Sequence, residues 1–504
     1  MIDNSYSIYS AFLNNVNMYP NKTILYDGKV KISFSKLLKY VDSIATYLAD
    51  YGVKKGESVG IFLDNGWEYI AIIFAILKVG AVVVPINRYI KSSELSFILK
   101  DANINLLFAS DELSKIVNGS IAVIKCGQVV WIGEGIRGTR FDKVLGLKNS
   151  IKETLSKADD TAVIFYTSGT TGKPKGAVLS NKNILSIVPF LKNHLKLNRK
   201  DKVLLFIPIF HSYAFCIGVI APILNSISIA IVRSINPLEN IIKELSSKKA
   251  TIFLGVPEIY NALLNANPPI NFSNLTRVKI AVSGGSFLSS ETIYALLDKF
   301  PKATVIEGYG LAESSAIIAA NPIDAPKVGS VGKIVDLCEV KIVDKNGNFL
   351  ETNKVGEIIV KGENTIKEYL NCNCNNIIDG WLYTGDLGYI DNDGYLYLKG
   401  RKDDVIISRG FNIYPKEVED VLDRYPGVIK SAVVGIKDKS DGEVPIAFLE
   451  TTDMQIDQEK LKKYADGFLA SYKVPKEFII VEKLPRTASG KIVKYKLKEI
   501  YPNS

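Results

Sequence analysis

Tyr166-Thr167-Ser168-Gly169-Thr170-Thr171-Gly172-Lys173-Pro174-Lys175-Gly176 places three glycines, four hydroxyls after Tyr166 and two lysines in eleven residues. The apolar run Ala162-Val163-Ile164-Phe165 ahead of it predicts a buried strand. Glycines let a backbone turn tightly and bring its N–H groups to a ligand, hydroxyls add donors, and lysines add positive charge. The stretch therefore reads as a cradle for a polyphosphate. It differs from the P-loop of NTPases, which needs Gly-x-x-x-x-Gly-Lys followed by Ser or Thr. Here Gly169 and Gly172 stand too close, and Lys173 is followed by Pro174. A surface turn of the same composition is the plain alternative.

Upstream, apolar Leu37, Val41, Ile44 and Leu48 recur at helical spacing and are closed by Gly52. Ser58 to Leu63 reads as a strand, Trp67 to Lys78 as a helix, Ala81 to Val84 as a strand, Ser92 to Lys100 as a helix and Asn105 to Ala109 as a strand. That alternation predicts a layered α/β architecture. With 504 residues, two or three domains are expected.

Hydrophobic content of 47% with 23% charged residues is that of a soluble globular chain. The net charge of +9, from 62 basic and 53 acidic residues spread along the chain, reads as compositional bias and not as nucleic-acid binding. Five cysteines make no disulfide framework, and two histidines leave little for a transition-metal site. Met1 to Ser10 carries no basic region ahead of an apolar core, so a cytoplasmic location is expected. The longest apolar candidate, Cys216 to Val232, is interrupted by Pro222 and Asn225 and falls short of a membrane span.

Downstream, the strand Val203 to Pro208 leads into Pro208-Ile209-Phe210-His211-Ser212-Tyr213-Ala214-Phe215. Val278 to Val282 opens into Ser283-Gly284-Gly285-Ser286, where small residues let a flat ring approach the backbone. Ala303 to Ile306 ends in Glu307-Gly308-Tyr309-Gly310-Leu311-Ala312-Glu313-Ser314. Then come Thr384-Gly385-Asp386, Gly400-Arg401-Lys402-Asp403-Asp404, Ser408-Arg409-Gly410-Phe411-Asn412 and Pro485-Arg486-Thr487-Ala488-Ser489-Gly490-Lys491. Taken singly, these are a core histidine, a turn, a charged loop and a basic tail.

Taken in order, they resemble the motifs of the adenylate-forming superfamily, of the acyl-CoA synthetase type, from about Phe34 to the C-terminus. The resemblance implies a large N-terminal α/β body, residues 1–400, and a small mobile α+β C-terminal domain, residues 401–504. It implies ATP, Mg²⁺ and coenzyme A as cofactors and substrates, with an acyl carrier protein as a further acceptor and peripheral membrane contact allowed. For the nucleotide it implies Thr167, Ser168, Gly169, Thr170, Thr171, Gly172, Lys175, Gly284, Gly285, Glu307, Gly308, Tyr309 and Gly310, together with Asp386, Arg401 and Lys491. Asp386 would accept hydrogen bonds from both ribose hydroxyls. Thr167 and Glu313 would hold the metal, and Lys491, Thr167, Glu313 and His211 would be catalytic.

The acyl pocket would be His211, Tyr213, Phe215, Gly284, Gly308 and Ala316; the thiol channel Gly410 and Phe411; the hinge Asp403. Amino-acid-activating relatives carry an aspartate after the aromatic of the histidine motif, and Phe210 is followed by His211 here. A fatty acid is thus the first substrate expected, with an aryl acid second. The family's usual threonine before the glutamate is Ala312, which removes one hydroxyl near the α-phosphate.

Overall fold

The computed structural model describes residues 7–124, 127–133, 139–148, 151–168, 174–266, 268–272, 275, 277–372, 376–408, 411–438, 442–452, 456–486 and 492–501. The chain forms two compact units, one of residues 1–339 with 360–382, the other of 340–359 with 383–504.

Among the described residues the first unit holds a nine-stranded and an eight-stranded sheet. The middle of the larger one, Thr304–Tyr309, Ile280–Ser283, Ile252–Gly255, Lys202–Leu205, Ser228–Ile231 and Thr23–Asp27, is parallel throughout. Its outermost strand at one end is Val30–Ser33, antiparallel to Thr23–Asp27. Parallel strands need helical crossovers and are covered on both faces, which is why they read as continuous apolar runs. In the smaller sheet, Thr161–Ser168 lies parallel to Val82–Pro85 and antiparallel to Pro174–Ser180.

The helix Trp67–Lys78 matches its sequence reading residue for residue. It is buried from Tyr69 to Lys78, apolar on every face up to the lysine. Lys78 is tolerated there because its ammonium bonds Asp42 at 2.7 Å. The helix Phe34–Tyr51 ends at Gly52, whose φ of 95° is left-handed and suits a residue without a side chain. The apolar stretch after His211 becomes a π-helix, Tyr213–Ile220, followed by one α-turn, Ala221–Leu224. Among the described residues no helix is long and apolar enough to cross a membrane.

In the second unit, Leu396–Arg401 pairs antiparallel with the end of Trp381–Ile390. A separate sheet is built on the long antiparallel pair Val428–Asp438 and Gly442–Thr451, with Glu477–Val481 parallel at its side. Helices Pro415–Leu422 and Gln458–Asp466 contribute Val418, Leu422, Leu461 and Ala465 to the core of this unit. The whole is α/β, a large N-terminal body and a small C-terminal domain.

Candidate functional site

The antiparallel hairpin Thr161–Ser168 and Pro174–Ser180 carries the glycine-rich stretch at its tip, with Thr167 opposite Lys175 and Ser168 opposite Pro174. Thr167 Oγ1 donates to Glu313 Oε1 at 3.3 Å. The Tyr369 hydroxyl donates to the same oxygen at 3.1 Å. Tyr369 belongs to the strand Tyr369–Leu370, which pairs with Gly176 and Ala177 of the hairpin. Lys175 lies 5.8 Å from the centre of the Tyr369 ring, and its ammonium reaches Asn376 Oδ1 at 3.4 Å. Of the residues expected here, Gly169, Thr170, Thr171 and Gly172 lie outside the described residues, as do Gly410 and Lys491.

Glu313 sits on a turn that the chain takes trouble to fix. Ser315 and Ala316 both have positive φ, 51° and 70°, a conformation disfavoured for residues with a side chain. Asn364 holds it, donating to Ser314 O at 3.1 Å and Ile317 O at 2.6 Å, while Ser315 Oγ donates to Asn364 O at 2.9 Å. The turn closes onto Gly310, where an added Cβ would stand 2.3 Å from the Ala316 carbonyl. Gly310 is thus a glycine of close approach.

Tyr309 and Gly308 end the strand that precedes this turn, and Glu307 stands beside Ser283 of the neighbouring strand. Glu307 is buried, and its Oε1 accepts the Leu288 N–H at 3.0 Å, which fixes the loop after Gly285. Gly285 has a φ of 87°. The Tyr213 ring lies 3.5 Å from where a Cβ on Gly284 would be, with the Gly308 carbonyl at 3.7 Å. Three of the expected acyl-pocket residues therefore meet at one point. Tyr213 is held there by a 3.4 Å hydrogen bond from its hydroxyl to Val282 O, and burial pushes its phenol pKa up. His211 is half-buried, with its carbonyl bonded by Phe215 N–H at 2.9 Å. Phe215 is fully buried and packs edge-on to Phe165, ring centres 5.3 Å apart.

In the second unit Asp386 and Arg401 are directly paired across two strands, with 2.8 Å between Oδ1 and Nη1. The same Nη1 also donates to Thr384 O at 3.1 Å. Lys402 bonds Glu357 Oε2 at 2.7 Å, and Glu357 Oε1 accepts the Gly385 N–H at 3.3 Å. Asp403 follows these two anchored cations, on the single turn Lys402–Asp404. Phe411 is exposed and stacks on Tyr472 at 4.8 Å.

Among the residues that escaped the sequence reading are Tyr369, Asn364, Glu357 and Tyr472. A tyrosine at the end of a polar stretch and an asparagine in a turn carry no signal of their own, because their partners are remote in sequence.

Residues 12–370 match the family model described as AMP-binding enzyme, and residues 417–491 that of the AMP-binding enzyme C-terminal domain. A 2-succinylbenzoate–CoA ligase of Geobacillus sp. (strain WCH70) is 32% identical over 99% of this chain and 98% of its own length. A long-chain-fatty-acid–CoA ligase of Bacillus subtilis (strain 168) is 31% identical over 98% and 94%. The structure of o-succinylbenzoate CoA synthetase from Bacillus subtilis, in complex with its acyl-adenylate intermediate, superimposes with a TM-score of 0.88 at 27% identity, covering 98% of this chain and 99% of that one. The chain belongs to the AMP-binding, adenylate-forming enzyme family and is an AMP-forming acyl-CoA ligase of it.

Proposed function

We propose that the enzyme activates an aryl carboxylic acid, or another acid of similarly compact shape, as its acyl-adenylate and transfers the acyl group to coenzyme A. The observation that carries this reading is Tyr213, whose ring stands 3.5 Å from the Cβ position of Gly284 and whose hydroxyl is tied to Val282 O. A ring anchored at that point shortens the pocket and offers a flat face for stacking, which suits an arene better than a long flexible chain. The Geobacillus relative, a 2-succinylbenzoate–CoA ligase, supports it. The fatty acid ranked first from sequence is the second reading, supported by the Bacillus subtilis long-chain ligase.

In the first step the substrate carboxylate attacks the α-phosphorus of ATP and pyrophosphate leaves. Two anions must meet, so donors and cations fixed in advance do most of the work. We assign Thr167, Ser168, the Gly169–Gly172 loop and Lys175 to the phosphates, Tyr309 to the adenine, Asp386 and Arg401 to the ribose, and Lys491 to the transferring α-phosphate. The hard oxygens of Thr167 and Glu313, 3.3 Å apart, fit a Mg²⁺ that takes its other ligands from phosphates and water. When bound, it supplies charge neutralisation on the phosphates. Tyr369 holds the carboxylate in place. In the second step the thiol attacks the acyl carbon and AMP leaves, with rotation about Asp403 exchanging Lys491 for the Gly410–Phe411 loop.

The test is pyrophosphate exchange dependent on added acid, run across benzoates, cinnamates, 2-succinylbenzoate and fatty acids of increasing length. Activity centred on aryl acids is expected. A kcat/KM that climbs severalfold per methylene along the fatty series, at about 0.8 kcal/mol each, would move the assignment to fatty acids. Supplying coenzyme A or a phosphopantetheinylated carrier protein in the second step identifies the acceptor. Lys491→Ala should cut exchange by about a hundredfold while sparing thioester formation from supplied acyl-adenylate.

A further inference from the structure

The edge of the nine-stranded sheet formed by Val30–Ser33, on the far side of the sheet from Thr304–Tyr309, carries a concentration of positive charge that the reaction does not use. Lys202 Nζ lies 3.8 Å above the Tyr26 ring and donates to Lys248 O at 2.5 Å. Lys248 Nζ in turn donates to Gly28 O at 2.7 Å, within the turn that joins the last two strands. Lys31 is the strand partner of Tyr26. Lys22 Nζ bonds Arg199 O at 2.9 Å, and the Arg199 guanidinium lies 4.8 Å from the Tyr19 ring. Burial, followed by repulsion from Lys248, Lys22, Lys31 and Lys249, pushes the Lys202 ammonium down to about 8.

The acids in the neighbourhood do not balance these cations. Asp27 is buried and bonded to Arg233, and Asp201 is buried and bonded to Lys279. Glu244 reaches only Lys248, at 3.6 Å. Cations crowded together on aromatic rings and backbone carbonyls repel one another, and the arrangement gains only when an anionic surface meets it. Two large apolar side chains stand exposed within it. Met18 is 60% exposed, one residue before Tyr19, and Val30 is 42% exposed at the tip of the edge hairpin.

Apolar side chains projecting from a basic field match the boundary of an anionic bilayer, where lysines meet headgroups and the apolar groups enter the acyl region. A nucleic acid would be served by the charge alone and would leave Met18 and Val30 in water. We propose that this edge, centred on Lys31, Lys202 and Lys249 and flanked by Met18 and Val30, docks the enzyme reversibly on anionic membrane surfaces. The proposal is independent of which acid is the substrate.

The experiment is co-sedimentation of the full chain with phosphatidylcholine vesicles, with and without phosphatidylglycerol, at two salt concentrations. Binding is expected only to the anionic vesicles, and it should weaken with salt. Lys29 is exposed in the same turn as Gly28, and the triple variant Lys29→Gln, Lys31→Gln, Lys249→Gln should lower the partition coefficient about fivefold per lysine, the change that ~1 kcal/mol represents. A matched triple variant at exposed Lys345, Lys354 and Lys463 alters net charge equally and should bind like the parent. Met18→Ser should weaken binding at high salt, where the apolar contribution remains. Soluble-substrate activity should be unchanged in all of them. Equal loss in both triple variants, equal binding to neutral vesicles, or retention by polyuridylate with no vesicle binding would each overturn the proposal.

Discussion

The Tyr369 hydroxyl and Thr167 Oγ1 converge on one oxygen of Glu313, at 3.1 and 3.3 Å. Two donors on one oxygen fix the rotation of the carboxylate. Tyr369→Phe should raise the Mg²⁺ concentration needed for half-maximal pyrophosphate exchange about tenfold or more. A hydrogen bond to a charged group is worth about 1.5–3 kcal/mol. The fold should be retained, because the Tyr369 backbone pairing with Ala177 does not depend on the hydroxyl. An unaltered Mg²⁺ requirement would remove Tyr369 from the site.

Gly284 faces Tyr213 with room for one methyl group, since a Cβ at 3.5 Å from the ring is an ordinary contact. Gly284→Ala should therefore fold normally and raise KM for substituted aryl acids, with little effect on acetate or propionate. An equal change for all acids would mean that this wall does not select the acyl group.

In the C-terminal unit, Glu419 is buried and pairs with Lys494 at 2.8 Å, and it also accepts the Val433 N–H at 2.8 Å. Burial alone would raise the carboxyl pKa, but Lys494 and that N–H outweigh it and hold the group below its usual range. A depressed carboxylate stabilises the fold above its unfolded pKa and loses that contribution as pH falls through the folded value. Parent protein should thus lose stability in this unit only below the ordinary glutamate pKa, and Glu419→Gln should lack that acid transition. Removing one partner of a buried pair costs about 3–5 kcal/mol, readable by urea denaturation at neutral pH. Lys494 is three residues from Lys491, so adenylation should fall further than thioester formation.

Arg401 and Lys402 are each bound to a carboxylate, Asp386 and Glu357, immediately before Asp403. A pivot directly after two anchored residues can turn without disturbing the strand behind it. Asp403→Pro fixes φ near −65° and should slow acyl-CoA formation at least about tenfold while sparing pyrophosphate exchange. Lys402→Ala, which releases one anchor without stiffening the chain, should affect both steps mildly. Equal loss of both activities in Asp403→Pro would indicate misfolding instead.

Periodicity made the helix Trp67–Lys78 and the strand before the glycine-rich stretch legible, because local spacing alone determines both. The motif order made the family legible for the same reason: each motif is short and continuous. What remained hidden is carried by contacts between distant residues. Tyr369 is 56 residues from Glu313, and Glu313 is 146 from Thr167, so no local pattern joins them. The π-helix Tyr213–Ile220 was invisible because an all-apolar run has no face to give its period away. The net charge was uninformative in a different way. Read as a bias along the chain, it gave no sign that part of it gathers on one sheet edge.

The hairpin that ends in Ser168 and Pro174 also settles a question of entropy. Joining the two ends of a flexible segment costs conformational freedom that grows with the segment's length. Here seven registered pairs bring those ends together as part of folding itself, from Thr161 opposite Ser180 to Ser168 opposite Pro174. A nucleotide that binds the segment between Ser168 and Pro174 then meets two ends already in register, so more of its free energy is left to discriminate one triphosphate from another. Lengthening that segment by a few glycines should leave folding intact and weaken ATP selectively.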